Sequence, residues 1–417
     1  MQTIIITGGR TLQGTVCPES AKNSVLPLMA AALLCRGRVT LHSVPRLADV
    51  ETSIALLRAV GADVQRCGAD LVLCTDTPLY GQIPARLSGA MRSSVFYLAP
   101  LLCRTGTVRL PLPGGCRLGP RPVDIHLAGL TALGATVELE GDAATLRAAD
   151  GLRGADFTLR LPSVGATLTL MMAACCAVGT TVLRGAACEP EVADTARFLS
   201  CCGADIQGAG TPTLVIQGAK TLTGTAYTPM PDRIAAATYG AALACVGGEV
   251  TVAHCSPRYY ASFLEVLQKC GVEISCREDS VTLFRNAAVP LHGGHSLCAN
   301  AWPALATDTA PLAAAVLLQA DAPSEIYDAL FARRFACAAG FAAMGAVCSE
   351  QGRRLQIQGS ARLHGAEVSA PDLRGGAALL LAALAAEGTT LLHDAGHLAR
   401  GYTDLPGHLA ALGADIR

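Results

Sequence analysis

The chain is 417 residues long, more than one ordinary hydrophobic core supports, so two or more domains are expected. Its 32 Lys and Arg nearly balance its 33 Asp and Glu. No basic run stands out, which argues against nucleic acid as the main partner while leaving small anions open.

The opening MQTIIITGGRTLQG has no charged segment followed by a long apolar one, so no signal peptide is legible. The 18 cysteines show no CxxC spacing, and pairs such as Cys175–Cys176 and Cys201–Cys202 lie in apolar runs. They read as reduced, mostly buried thiols of a cytoplasmic chain rather than as a disulfide frame. Residues 161–183 carry no charge over 23 positions, long enough to span a bilayer. Pro162, two glycines and the Gly-Thr-Thr break make loop, helix, turn and strand the better reading, with no membrane insertion.

Along the chain a unit of about 70 residues recurs six times. Each copy ends a helix in Gly before an apolar strand: LLRAVGADV, GLTALGATVEL, FLSCCGADIQ, VLQKCGVEIS, GFAAMGAVCS and HLAALGADIR. The glycines stand at 61, 134, 203, 271, 345 and 413, where a left-handed helix end favours Gly. Between them come Ala/Leu-rich helices, each followed by a turn and a strand, from MAAALLCRGRVTLHSV to LLAALAAEGTTLLHDA. The fold class is therefore α/β, with two helices and several strands per unit, the Ala-rich helices inside and the sheets outside.

Polar groups recur where the Ala-rich helices begin. Ser20-Ala21-Lys22-Asn23-Ser24 opens the first, and reads either as a capping cluster with a solvated Lys or as an anion or sugar site. Met91-Arg92-Ser93-Ser94 opens the second, and Pro162-Ser163-Val164-Gly165-Ala166-Thr167 the third. Pro231-Asp232-Arg233, Ala306-Thr307-Asp308-Thr309 and Pro371-Asp372-Leu373-Arg374 stand at the later ones, with Ala399-Arg400-Gly401-Tyr402 near the end. An Asp before an apolar helix is ordinarily an N-cap, so Asp308 reads first as a cap. The loop 111–124, PLPGGCRLGPRPVD, sets Cys116 among three glycines and four prolines, flanked by Arg117 and Arg121. It is either an exposed turn thiol or a reactive one whose thiolate the arginines favour. Neither a P-loop nor a full dinucleotide fingerprint occurs, and no metal site is legible.

In this order, Lys22-Asn23, Arg92, PGGC with Arg121-Pro122-Val123-Asp124, Ser163 to Thr167, Pro231-Asp232-Arg233-Ile234, Asp308, Asp372-Leu373-Arg374 and Arg400-Gly401-Tyr402 resemble the UDP-N-acetylglucosamine 1-carboxyvinyltransferase family. These are enolpyruvyl transferases, and the resemblance runs end to end. It implies two inside-out α/β barrel domains of three units each, with pseudo-threefold symmetry. One would span 22–229; the other would combine 1–21 with 230–417, substrates binding in the cleft between them.

The implied reaction joins phosphoenolpyruvate to UDP-N-acetylglucosamine, the first committed step of peptidoglycan synthesis, with no cofactor and no metal. Cys116 is implied as the catalytic cysteine, acting as an acid or assisting product release, on a loop that closes over the substrates, open to alkylation by an epoxide such as fosfomycin. Asp308 is implied as the base for the sugar 3′-hydroxyl, with Lys22 and Arg400 also catalytic. Lys22, Asn23, Arg121 and Arg400 would hold phosphoenolpyruvate. Asn23, Arg92, Arg121, Pro122, Val123, Asp124, Ile125, Ser163, Val164, Gly165 and Asp308 would hold the sugar nucleotide. Arg233, Arg334, Asp372 and Arg374 would support them.

Three positions depart from the family pattern: Ala332-Arg333 replace a Glu-Asn pair before Arg334-Phe335, Leu161 stands where some relatives carry Lys, and Ala48 where a basic residue is common. A shikimate-type transferase would share the fold but lack the cysteine loop. A non-catalytic sugar-nucleotide binder would lose Lys22, Arg400 or Asp308, and all three are present.

Overall fold

The computed structural model describes residues 3–112, 123–218 and 221–417. The chain divides into two compact units, one from residues 20–230 and one combining residues up to 19 with 231–417. Each has its own hydrophobic core.

The repeat glycines do what their spacing predicts. Gly61, Gly134, Gly203, Gly271, Gly345 and Gly413 have φ between 93° and 110°, ending six outer helices in a conformation that a Cβ strains. Each outer helix is amphipathic; Ala261–Lys269 buries only Phe263, Leu264, Val266 and Leu267. The Ala-rich helices are buried nearly all round. Every residue of Arg233–Val246 and of Ala310–Leu317 is buried. In the second unit these two helices and Leu373–Ala385 pack pairwise against one another. Alanine is what permits three helices to share one small interior, since larger side chains on all faces would overfill it.

Three larger sheets surround each helical core, with a further two-stranded pair, Cys35–Arg36 beside Leu222–Thr223, in the unit from 20 to 230, and one strand order recurs. The strand that follows an inner helix pairs antiparallel with the second strand of a hairpin and parallel with an edge strand. In the third repeat, Thr180–Arg184 lies between Thr213–Gln217 and Asp156–Thr158. In the fifth, Ser324–Asp328 lies between Arg354–Ile357 and Ser296–Ala299. The second repeat keeps only a bridge, Gln82 to Arg109, at its edge position. Strand faces alternate, as in Thr180–Arg184, where Thr181 and Leu183 are buried. Each unit is thus an inside-out α/β barrel of three repeats.

Two strands at the start of the chain complete the unit containing 231–417. Leu12–Val16 is the parallel edge of the fourth repeat's sheet, beside Gly248–Val252. Ile4–Thr7 enters the sixth repeat's sheet between Thr389–His393 and Asp415–Ile416. The chain leaves and re-enters this unit at neighbouring points, where Asp232 N donates to Glu19 O at 2.7 Å.

Two expectations are corrected. The second inner helix does not open at Met91: Arg92–Tyr97 is a 3₁₀ turn, and the α-helix begins at Leu98. Pro100 fits the break, because it has no N–H to donate and sits most readily within a first turn, as it does in Leu98–Thr105. The cysteines are not mostly buried either. Of the 17 described, all free thiols, seven are buried, five half-buried and five exposed. An apolar neighbourhood in sequence does not tell which face of a strand or helix a cysteine takes.

Candidate active site

In the unit containing 231–417, inner-helix starts carry the charged residues. Asp232 caps Arg233–Val246, its carboxylate accepting from Ile234 N at 2.8 Å and Ala235 N at 3.0 Å. Asp372 caps Leu373–Ala385 in the same way, from Arg374 N and Gly375 N, both at 2.9 Å. Such caps contribute about 1 kcal/mol each, so both residues have a structural role whatever else they do.

Asp308 is different, and its reading as a cap is overturned. It sits in the 3₁₀ turn Thr307–Thr309, and its side chain reaches buried arginines instead of a helix N-terminus. Oδ2 accepts from Arg374 Nε at 3.2 Å and Nη2 at 3.1 Å. Oδ1 lies 3.2 Å from Arg334 Nη2. The two guanidinium groups are 5% and 2% exposed, whereas the Asp308 side chain keeps 28% of its surface. One buried fork, from Arg374, therefore fixes the carboxylate's direction by hydrogen bonds, Arg334 adds an ion-pair contact, and the carboxylate is presented at a surface.

A second layer holds those arginines. Arg334 Nε receives support from Thr307 Oγ1 at 2.9 Å and from the fully buried Asp328 at 3.6 Å. Thr307 Oγ1 donates to Asp328, which also accepts from Leu330 N and Phe331 N at 2.8 and 2.7 Å. The Arg334 guanidinium lies 4.7 Å over the Phe331 ring. Arg374 Nη1 donates to Tyr402 Oη at 3.2 Å. Asp308 raises the Arg374 pKa by its negative charge against the opposing effect of burial. Ala332 and Arg333, which depart from the family pattern, are exposed, while Arg334 and Phe335, which keep it, are buried. Arg233 is buried with its guanidinium 5.4 Å over Trp302. Arg400 ends the 3₁₀ turn Ala395–Arg400 and is half-buried.

In the unit from 20 to 230, Lys22 is the first residue of Lys22–Ala31, whose N-cap, Ala21, offers no side-chain cap. The capping-cluster reading of Ser20 to Ser24 therefore fails. Lys22 Nζ instead pairs with Asp49 Oδ2 at 3.0 Å, with side-chain exposures of 13% and 10%. Asn23 is exposed beside it. Ser24 Oγ donates to the buried Asp194, which also accepts from Tyr227 Oη at 2.7 Å and Arg197 Nη2 at 2.9 Å.

Ser163 caps Val164–Ala174, accepting from Ala166 N at 3.3 Å, and Val164 and Gly165 form its half-buried first turn. Arg92 begins the 3₁₀ turn that packs on this helix. Val123 and Ile125 are buried, and the exposed Asp124 pairs with Arg160. Leu161 and Ala48 are exposed. Cys116, Arg121 and Pro122 lie outside the described residues. Among those described, no group of three or more His, Cys, Asp or Glu is arranged to hold a metal ion. No described helix is long and apolar enough to cross a membrane.

Sequence reasoning gave no role to Asp49, Asp328, Tyr402 or His126. His126 is 4% exposed, and among the described residues neither ring nitrogen has a hydrogen-bond partner of good geometry. Burial first, and then the charge of Arg92, push its pKa down to about 4. The only sequence signal for it was a lone polar residue two places after Asp124 in an apolar helix.

Two three-repeat barrels with charge gathered where inner helices begin are the architecture of the enolpyruvyl transferases. The sequence profile of EPSP synthase (3-phosphoshikimate 1-carboxyvinyltransferase) matches residues 6–409, and the chain belongs to that family. A relative from Caldanaerobacter subterraneus, named UDP-N-acetylglucosamine 1-carboxyvinyltransferase 2, is 40% identical over 415 residues, 99% of this chain and 98% of its own. The enolpyruvyl transferase NikO from Streptomyces tendae superposes with a TM-score of 0.89 at 28% identity, over 100% of this chain and 98% of its own. EPSP synthase from Acinetobacter baumannii shares the fold, with a TM-score of 0.77 at 16% identity over 100% and 99% of the two chains.

Proposed function

We propose that this transferase moves the enolpyruvyl group of phosphoenolpyruvate to the 3′-hydroxyl of UDP-N-acetylglucosamine and releases phosphate. The observation that carries the reading is Asp308, a partly exposed carboxylate aimed by two buried arginines. Such a group suits the capture of a proton from a sugar hydroxyl. The names of the relatives at about 40% identity support the same choice of substrates.

In this reading the 3′-oxygen, losing its proton to Asp308, bonds to C2 of phosphoenolpyruvate while C3 gains a proton from the Cys116 thiol. The tetrahedral adduct then gives a C3 proton back to the Cys116 thiolate, the C3–H electron pair restores the vinyl group as the C2–O bond to phosphate breaks, and phosphate leaves with the proton held by Asp308. Lys22, Asn23, Arg121 and Arg400 hold the carboxylate and phosphate, charges that guanidinium forks and an ammonium suit. Asn23, Arg92, Arg121 to Ile125 and Ser163 to Gly165 hold the nucleotide sugar. Arg233, Arg334, Asp372 and Arg374 keep the acid and the helix starts in place. The reading assigns the chain to the cytoplasm and to cell-wall biogenesis, and through that to cell shape and division.

The test is phosphate release from phosphoenolpyruvate with UDP-N-acetylglucosamine, with 3-phosphoshikimate, and with neither. Release that requires the sugar nucleotide is expected. Release that requires 3-phosphoshikimate, or none with either acceptor, overturns the reading.

A further inference from the structure

The Asp308 carboxylate is the visible end of a longer chain of hydrogen bonds whose direction the structure fixes. Thr238, on the buried face of Arg233–Val246, donates its only hydroxyl proton to Ile234 O at 2.8 Å. Its oxygen then has only acceptor capacity left for Tyr402 Oη, 2.8 Å away. Tyr402 must therefore donate to Thr238. Its own lone pairs face Arg374, whose Nη1 donates at 3.2 Å. Arg374 turns its remaining edge, Nε and Nη2, to Asp308. The Tyr402 ring also lies 5.5 Å from the guanidinium carbon. Each member is buried except Asp308.

Tyr402 stands two residues after Arg400. The residue between them, Gly401, lies so close to the start of Leu373–Ala385 that a Cβ would sit 2.6 Å from Leu373 Cδ2. The turn carrying Arg400 is thus pinned to the helix carrying Arg374 by a close backbone approach and by one phenol hydroxyl.

We propose that Tyr402 and Thr238 are positioning residues: the Thr238–Tyr402–Arg374 hydrogen-bond chain aims the guanidinium at Asp308 and ties the Arg400 turn to the same point. The inference rests on the reading of Asp308 and Arg400 as reacting-site residues. A phenol hydroxyl is used because a guanidinium with one satisfied edge can otherwise rotate, and rotation would release Oδ2. Distance in sequence hides the arrangement: Thr238 and Tyr402 are 164 residues apart.

The decisive variant is Tyr402→Phe, which keeps the ring and removes one oxygen. Turnover is expected to fall about tenfold, as for the loss of one aligned hydrogen bond. KM for phosphoenolpyruvate should rise with it, and KM for the sugar nucleotide should change little. Thr238→Val should show the same pattern, and Thr238→Ser, which keeps the hydroxyl, should recover most of the activity. The double variant Thr238→Val/Tyr402→Phe should cost no more than the worse single one. Normal kinetics in Tyr402→Phe, a Ser variant as impaired as Val, or additive losses would each overturn the proposal. A readout independent of the reaction is the ¹⁵N-arginine spectrum of the whole chain, with Arg374 assigned through Arg374→Lys. Its Nη–H signals should show hindered rotation that Tyr402→Phe releases, whatever substrates the chain takes. Unchanged signals would sink the chain of bonds even if the substrate reading stands, and an absence of sugar-dependent phosphate release would sink only the latter.

Discussion

Arg334 joins two acids of unlike exposure: its Nη2 lies 3.2 Å from Asp308, and its Nε lies 3.6 Å from Asp328, which is wholly buried. One guanidinium therefore neutralises a structural charge and orients a functional one. Arg334→Ala should cost about 3–5 kcal/mol of stability, because it leaves the Asp328 charge buried and unpaired. Chemical denaturation measures this. The double variant Arg334→Leu/Asp328→Leu should recover much of the stability and none of the turnover. Recovery of turnover would show that Asp308 needs no ion-pair partner on its Oδ1 side.

Lys22 and Arg400 should matter to turnover far more than to folding. Each removal of charge, Lys22→Ala or Arg400→Ala, is expected to lower kcat/KM for phosphoenolpyruvate at least about a hundredfold, the scale for losing one charge-stabilising donor. Asp49→Asn should have a milder effect through Lys22, its partner at 3.0 Å. Steady-state kinetics alongside a thermal melt checks both statements, and wild-type kinetics in Arg400→Ala would remove Arg400 from the site.

His126 makes stability fall in mild acid. Its folded pKa, about 4, is below the ordinary 6.5. The unfolded chain therefore takes up the proton first as pH drops. The folded state keeps its full stability above about pH 6.5 and loses it progressively down to about pH 4, by about 3 kcal/mol in all. Arg92 works against protonation and Asp124 works for it, so both belong to the balance. Denaturation midpoints measured between pH 7 and 4 should show this slope, and His126→Gln should flatten it. An equal slope in the variant would assign the effect to other groups.

Cys116 should react with an epoxide or iodoacetamide before the other cysteines, since Arg117 and Arg121 flank it. The comparison is more demanding than burial alone would make it, because Cys17, Cys67, Cys201, Cys276 and Cys298 are also exposed. Brief labelling followed by peptide mass mapping gives the order. Cys116→Asp should keep turnover and escape alkylation, because a carboxyl group carries a proton and traps epoxides poorly. Labelling spread evenly over the exposed thiols, with normal turnover in Cys116→Ala, would return this residue to an ordinary turn.

What could be read in the sequence was periodic or local. Gly61 and its five counterparts announced the helix ends, and the all-apolar helices announced the inner layer, because both depend on a few neighbouring residues. Ser163 and Asp372 were legible as helix starts for the same reason. Asp308 looked like a cap because its local context matches Asp232 and Asp372. Only Arg334, later in the same repeat, and Arg374, from the next one, decide that it is not one. Thr238 gave no signal, since a hydroxyl in an apolar helix is ordinary locally, and Tyr402 stood out only as the end of Arg400-Gly401-Tyr402, with no role of its own. The break at Leu98 needed only Pro100 to be weighed against the helical pattern.

The pairing of Ile4–Thr7 with Thr389–His393 and Asp415–Ile416 bears on how the chain is made. A ribosome delivers residues 4–16 before residues 20–230, yet their partners in both sheets lie beyond residue 247. The unit from 20 to 230 has all its strands once residue 227 has emerged, since Ala226–Tyr227 closes its first sheet. It can therefore fold during synthesis, while two strands, the first of them apolar, wait outside with unpaired edges open to wrong partners. The unit that takes in residues 4–16 is thus completed after the unit from 20 to 230, and nascent-chain chaperones should find a long-lived target in residues 4–16.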